Sequence, residues 1–305
     1  MRIAVLGAGA MGCLFGGYLS QRHDVWLIDS DRSKVDAILS SGVLIQEADG
    51  ERLFHPNAVS DAASLEPMDL VIVLVKAVFS REALEKNRHL VGGKTHLLSL
   101  QNGAGHEKTL AEFAPPGRVI LGTTQHNSSL KMPGKIHHGG GGQTLIGLPD
   151  ADSTTLEPLA AAFRECGIAT SVSPDINKQV WAKLFLNASA SALTAILQVR
   201  LGFIVENSHA WLLANRLIRE AVSVANAEGQ NFDPDMVATD IREILARARL
   251  GITSICADIR DGVRTEADTI SGFVVRKAQQ LEVPVPTHEF VLQCIHALEE
   301  KYENP

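Results

Sequence analysis

The stretch that decides the fold is Met1–Ser20, MRIAVLGAGAMGCLFGGYLS. Arg2–Leu6 is a short apolar run with β-branched residues, and it ends in glycine. Gly7-Ala8-Gly9-Ala10-Met11-Gly12 then spells GxGxxG, and Met11–Arg22 carries helical spacing. Strand, glycine turn and helix, in that order, form the context in which this pattern binds a dinucleotide. Gly7 permits the tight turn. Gly9 lets a pyrophosphate approach the backbone, and Gly12 lets the helix pack close to the strand. Ala10 and Met11 open the helix, where free N–H groups and a partial positive charge face the phosphates. Glycines of a tight turn alone would give the same letters without needing the helix that follows.

Asp24–Ile28 (DVWLI) reads as the second strand, and Asp29 follows it directly. A carboxylate there, about 20 residues after the motif, bonds the ribose hydroxyls of NAD and repels the 2′-phosphate of NADP. Asp29 therefore favours NAD(H) over NADP(H). Arg32 and Lys34 lie a little further on, still within reach of a phosphate.

Outward from this unit, strands and helices alternate. Arg32–Ser40 is helical in spacing. Asp69–Val75 (DLVIVLV) is almost wholly apolar, as in a strand buried on both faces of a parallel sheet. His96–Leu100 and Val119–Thr123 are further strands, and the alternation implies βαβ units. Residues 126–150 interrupt it with Pro133-Gly134 and the glycines 139–142. That texture suits a hairpin with a loose turn, or less readily a phosphate nest. From about residue 175 the periodicity is helical, with Pro284 and Pro286 stopping one helix before a last one at Thr287–Tyr302. The expected class is α/β: a Rossmann dinucleotide-binding domain over 1–173 and an all-helical domain over 174–305, divided near Ser173-Pro174-Asp175.

At 305 residues the chain is long enough for two such domains. Charged residues make up 21% and the hydrophobic set 45%, which excludes disorder over most of the length. The net charge of −7 and the 5% aromatic content argue against nucleic acid as a partner. Cys13, Cys166, Cys256 and Cys294 have no CxxC-type spacing, so reduced thiols are expected and no metal. Glycines at 7, 9, 12, 16 and 17 break the N-terminal apolar run, unlike a signal peptide. No run was found with the roughly 18–20 apolar residues of a bilayer span. A cytoplasmic, soluble chain with no membrane partner is the expectation. Trp211-Leu212-Leu213 would suit either a homodimer contact or the core.

Lys183, Asn187 and Ser191 stand at i, i+4 and i+8 inside an apolar helix, on one face. Such a lysine either snorkels to solvent or is desolvated, with a lowered pKa suited to proton transfer. Thr265-Glu266-Ala267-Asp268 and Thr253-Ser254 are readable as helix starts.

Several segments together resemble the ketopantoate reductase (2-dehydropantoate 2-reductase) family: MRIAVLGAGAMG, LVKAVFS (74–80), SLQNGAG (99–105), GTTQHNSSLKMPGKIHHGG (122–140), VWAKLFLNASASALTAI (180–196) and the block from Thr253 to Thr287. WxKLxxN and TE-x-D-x-I-x-G are the specific parts. The resemblance implies an oxidoreductase of pantothenate biosynthesis that reduces a small 2-keto acid with NAD(P)H. It also implies an active site in the cleft between the domains. Lys183 resembles the lysine that donates a proton to the ketone oxygen, and Glu266 the carboxylate that binds the substrate hydroxyl and places the lysine. Asn102 resembles the asparagine that contacts nicotinamide and lysine, and Lys76 a cofactor-side lysine. Glu266 and Asn102 thereby also count among the cofactor contacts. Asn187, Ser191 and Ser254 resemble substrate-binding positions.

Two departures from the family pattern bear on the substrate. Ser191 stands where the family often has a second asparagine, and Asp29-Ser30 where many members have arginine. They admit an NAD-dependent dehydrogenase of the same family acting on another 2-keto or D-2-hydroxy acid. A non-catalytic dinucleotide sensor is the alternative of another class; it would need the glycines but not Lys183 and Glu266.

Overall fold

In the computed structural model, which describes residues 1–303, the opening strand Arg2–Leu6 (β1) leads through the glycines into helix Ala10–Leu19 (α1). Next come Asp24–Ile28 (β2), Arg32–Ser41 (α2), Val43–Glu47 (β3), Gly50–Phe54 (β4), Asn57–Val59 (β5), Leu70–Val73 (β6), Ser80–Lys86 (α3) and His96–Ser99 (β7). His106–Ala111 (α4), Val119–Thr124 (β8), Asn127–Met132 (β9), Lys135–Gly140 (β10), Thr144–Gly147 (β11), Glu157–Glu165 (α5) and Thr170–Val172 (β12) complete the alternating part. The helical part comprises Ile176–Leu197 (α6), Leu201–Glu206 (α7), Ser208–Ala227 (α8), Pro234–Arg247 (α9), Ser254–Arg260 (α10), Ser271–Leu281 (α11) and Pro286–Glu303 (α12).

The chain forms two compact units, 1–101 with 106–179 and 102–105 with 180–305. The turn at Ser173-Pro174-Asp175 marks the start of α6, where Asp175 Oδ1 accepts the Lys178 N–H at 3.0 Å. The division itself falls later, inside that helix.

In the first unit, an eight-stranded sheet runs β12-β11-β8-β7-β6-β1-β2-β5. All its pairs are parallel except β8 with β11. Strand order reverses at β1, with β2 on one side and β6 on the other. Ligands bind at such a switch point, beyond the carboxyl ends of the strands. All of Leu70–Val73 is buried, as its apolar run requires. A second sheet, β4-β3-β10-β9, was not foreseen. β9 and β10 are its hairpin around Pro133-Gly134, and β10 also pairs in parallel with β3. Helix α1 touches both sheets: a Cβ on Gly16 would meet Leu27 of β2 at 2.6 Å, and one on Gly17 would meet Ile45 of β3 at 3.3 Å. At its far end, Tyr18 donates to the Glu47 carboxylate, which also bonds His138 Nδ1 at 3.0 Å. The glycines 139–142 line a cavity of about 670 Å³ beside this cluster. Their run ends β10 without opening a helix.

The second unit packs around α6. Leu184, Phe185, Ala188, Ala192 and Leu193 of that helix are at most 3% exposed. By length and composition alone α6 could cross a membrane. Here it is the core helix, and each large apolar side chain so buried contributes about 1.5–3 kcal/mol. Trp181 Nε1 donates to Glu228 at 2.7 Å, and Lys277 pairs with the same carboxylate, tying α6 to α8 and α11. Trp211 packs partly buried against this core. Leu212 and Leu213 are 50% and 39% exposed and belong to the surface.

His288, at the start of α12, is wholly buried. Its Nε2–H donates to the Leu217 carbonyl at 3.0 Å, while Nδ1 has no partner. Burial pushes this imidazole from 6.5 down to about 4, against the opposing effects of the Leu217 carbonyl and Glu220. The unfolded chain therefore binds the extra proton between those values. Stability from this group is complete above about pH 6.5 and is lost as pH falls through 4, on the order of 3 kcal/mol in all. Urea unfolding between pH 7 and 4 should show the decline, and His288→Gln should flatten it. An unchanged slope in the variant would exclude His288 as its source.

Candidate functional site

In the first unit, Gly7, Gly9, Asp29 and Lys76 line one cavity of about 550 Å³ at the switch point. Gly7 has φ +103°, and a Cβ there would press on the Leu74–Val75 backbone of the neighbouring strand end at 2.9–3.0 Å. A Cβ on Gly12 would lie 1.8 Å from the Gly7 carbonyl oxygen, so only glycine lets the helix approach the turn. Gly9 is different: nothing lies within 4 Å of its Cβ position. Gly9 also lines the cavity, so the loop there leaves room for a close backbone approach. Ala10, Met11 and Gly12 form the first turn of α1, whose N–H groups have no helical acceptor. An open cradle, a helix N-terminus and a carboxylate after β2 fit a dinucleotide.

Asp29 does more than line the cavity. Its Oδ2 accepts the Ala8 N–H at 2.8 Å and the Lys34 ammonium at 3.2 Å, and Oδ1 accepts the Asp31 N–H at 2.9 Å. It thus fixes the glycine loop against the end of β2. Asp31 caps α2 by accepting the Ser33 N–H. Arg32 is exposed and is not among the lining residues; Lys34 is, with Lys86 further along.

Sequence reasoning missed Gln101. Its buried amide donates to the Val75 carbonyl at 2.6 Å and to Ser80 Oγ at 2.8 Å, and its Oε1 accepts from Ser99. Gln101 thereby holds the segment that carries Lys76. A polar residue at the end of a buried strand was the only signal.

In the second unit, α6 carries Lys183, Asn187 and Ser191. Lys183 and Asn187 are half-buried, and Ser191 is 3% exposed. Burial pushes the Lys183 ammonium from 10.5 down to about 8, and Glu266 partly offsets it. Burial is thus the larger influence on this lysine, although part of its side chain remains exposed. Its proton is held loosely enough to transfer near neutral pH.

Asn102 and Glu266 are distant in sequence and are brought together through Thr269. The Ala104 N–H donates to the Thr269 carbonyl at 2.9 Å, and the Thr269 N–H donates to the Glu266 carbonyl at 3.1 Å. The loop 102–105 accordingly belongs to the helical unit, although its flanks belong to the other. Thr265 Oγ1 accepts the Ala267 N–H at 3.0 Å in a local turn, but it does not cap α11, whose N-cap position is Ile270. Thr253 does cap α10, and it bonds Thr194 Oγ1 of α6 at 2.8 Å. Ser254, next to it, is exposed. Among the described residues no group of three or more His, Cys, Asp or Glu is placed to hold a metal.

Comparison with known proteins bears directly on this arrangement. Residues 3–151 match the family model "Ketopantoate reductase PanE/ApbA", and residues 175–299 match its C-terminal counterpart. The chain belongs to the ketopantoate reductase family. A 2-dehydropantoate 2-reductase of Halobacterium salinarum is 32% identical over 94% of this chain and 95% of its own length. One from Pyrococcus abyssi is 35% identical over 93% and 94%. Among solved structures, a D-mandelate dehydrogenase with NADH and anilino(oxo)acetate is 28% identical, with TM-score 0.94 over 99% of this chain and 100% of that one. A family ketopantoate reductase from Ralstonia eutropha is 29% identical, with TM-score 0.92 over 100% of both chains. Family membership agrees with an α/β dinucleotide-binding part followed by a helical part.

Proposed function

We propose that this chain is an NAD(P)H-dependent reductase of a 2-keto acid, ketopantoate, which it converts to pantoate. The observation that carries the reading is Lys183, a desolvated lysine on the apolar core helix, within the electrostatic influence of Glu266. Reduction of a ketone needs a hydride at carbon and a proton at oxygen. Gly7, Gly9, Ala10, Met11, Gly12, Asp29 and Lys76 would hold the dinucleotide, and the family resemblance adds Asn102 and Glu266 to the cofactor contacts. When bound, its reduced nicotinamide supplies the hydride. Lys183 supplies the proton, and its cation stabilises the negative charge that develops on the oxygen. Glu266 favours the protonated lysine and accepts the substrate hydroxyl. Asn187, Ser191 and Ser254 provide hydrogen-bonding groups for the rest of the keto acid. Four unpaired cysteines, three of them buried, are in keeping with a reducing, cytoplasmic setting.

NADH is placed ahead of NADPH. Asp29 follows β2, where a ribose contact is expected, with Ser30 and Asp31 beside it in the cavity lining, and these carboxylates would oppose a 2′-phosphate. Asp29→Asn keeps an oxygen for the Ala8 N–H and removes the charge. It should shift the NADH-to-NADPH ratio of kcat/KM toward NADPH by about tenfold, equivalent to about 1.4 kcal/mol. An unchanged ratio would mean that Asp29 serves only the glycine loop.

A second reading has its own support. Ser191 is shorter than the asparagine often found there, and the D-mandelate dehydrogenase likeness extends over 99% of the chain. Another 2-keto acid, or oxidation of a D-2-hydroxy acid with NAD, would then be the reaction. A panel of 2-keto acids with both cofactors separates the two. A wide kcat/KM margin for ketopantoate would exclude the second reading.

A further inference from the structure

We propose that Thr269 is a positioning residue that holds Asn102 and Glu266 in one arrangement for the reaction at Lys183. The proposal rests on the reading of those three residues given above. Thr269 Oγ1 lies 3.1 Å from the Glu266 carbonyl and 3.4 Å from the Asn102 carbonyl, able to donate to either. Its own carbonyl accepts the Ala104 N–H at 2.9 Å. Between these bonds the loop lies directly on Thr269: Gly103 has φ +90°, and a Cβ there would come within 2.3 Å of the Thr269 carbonyl oxygen. The two segments are far apart in sequence, Asn102 and Thr269 being separated by 167 residues.

A hydroxyl has one proton, so it is shared between two carbonyls. That makes it a hinge pin between the two segments. The backbone bond from Ala104 and the fit of Gly103 hold the loop on the helical unit. The hydroxyl sets where the Asn102 and Glu266 backbones stand relative to each other. Both side chains extend from those backbones, and misplacement by about 1 Å at a reacting centre can cost about 100-fold. Glu266 also supports the charged form of Lys183, so its displacement changes when the lysine loses its proton.

The test compares Thr269→Val, which keeps the shape and removes the hydroxyl, with Thr269→Ser, which keeps the hydroxyl and removes the methyl. In the full-length protein, Thr269→Val should lower kcat for keto acid reduction about tenfold, within the reach of such misplacement. Its KM for the dinucleotide should change by less than its kcat, since the cavity lined by Gly7, Gly9, Asp29 and Lys76 is left intact. The alkaline limb of its pH–rate profile should move to lower pH, because a looser Glu266 supports the ammonium less. Thr269→Ser should restore both kcat and the limb to within about twofold of wild type, as the hydroxyl requires. Thr269→Ala, which only removes atoms, replaces the valine variant if thermal unfolding shows that valine disturbs the fold. Wild-type kcat and an unmoved limb without the hydroxyl would overturn the proposal. So would an equal loss in the serine variant, which keeps the hydroxyl, because the effect would then follow any disturbance of packing at this position and not loss of the hydroxyl. Lys183→Ala measured alongside keeps the two levels apart: full activity in that variant refutes the site reading itself, whatever Thr269 does.

Discussion

Replacing Lys183 with alanine lowers kcat for keto acid reduction by about two to four orders of magnitude, the range of positioned general acid–base catalysis and its associated charge stabilisation. Dinucleotide affinity is expected to persist, since the cavity lined by Gly7, Gly9, Asn87 and Lys76 lies wholly in the first unit. The size of the effect follows from the environment of the side chain. In water a lysine ammonium is a reluctant acid; here burial brings it down to about 8. Its proton is present at neutral pH and is given up at small cost. The sign of the pH dependence follows. Reduction requires the protonated lysine, so kcat/KM is level below about 8 and falls tenfold per unit above it. Oxidation of the alcohol requires the neutral amine, so that rate rises through the same value. Glu266→Gln removes the charge that opposes desolvation and moves both limbs to lower pH. A Lys183→Ala enzyme with near-wild-type turnover, or a reduction rate that climbs above pH 8, would remove Lys183 from the mechanism.

The second large effect is at the glycine loop, where two alanine substitutions should part company. Gly12→Ala places a methyl 1.8 Å from the Gly7 carbonyl oxygen, a backbone atom that no side-chain rotation can move aside. Either the turn or α1 must shift, and α1 is confined by Leu27 on one side and by Ile45 and Phe54 on the other. Gly12→Ala should therefore lose dinucleotide affinity by at least about 100-fold and lose stability as well, as overpacked sites do by about 1–3 kcal/mol or more. Gly9→Ala meets no protein atom within 4 Å. Its Tm should match wild type, while its Kd for NADH rises at least about tenfold because the methyl occupies the pyrophosphate's approach. Isothermal titration with NADH and thermal unfolding of both variants read the two quantities separately. Equal affinity in Gly9→Ala and wild type would place the dinucleotide elsewhere.

The contrast between these two regions shows what the amino-acid sequence discloses. The β1–glycine–α1 unit is legible because every constraint on it is local: a strand period, three glycines at fixed spacing, a helix start, and Asp29 after the next strand. The α6 face is legible for the same reason, since Lys183, Asn187 and Ser191 are related by helical spacing alone. The second sheet is not. Gly50–Phe54 is exposed at all but Phe54, so it has no alternating pattern, and Val43–Glu47 gains its place only by pairing with β10, far along the chain. The link between Asn102 and Glu266 is equally invisible, because it depends on a loop folding onto Thr269 from a distant part of the sequence. Asp29 reads in the sequence as a candidate ribose ligand, while its acceptance of the Ala8 N–H is invisible there, since one letter cannot disclose two uses. Length and apolar composition alone do not separate a core helix from a membrane span in α6; its packing with residues of α8 and α11 marks it as core.

The central claim is that this chain reduces a 2-keto acid of the ketopantoate type with a nicotinamide cofactor, using Lys183 as the acid. The most direct test is steady-state turnover of ketopantoate with NADH and with NADPH, following cofactor absorbance and pantoate together. Each mole of cofactor oxidised should yield one mole of pantoate, with NADH giving the higher kcat/KM. Absence of ketopantoate-dependent oxidation with either cofactor, from folded protein that binds the dinucleotide, would contradict it.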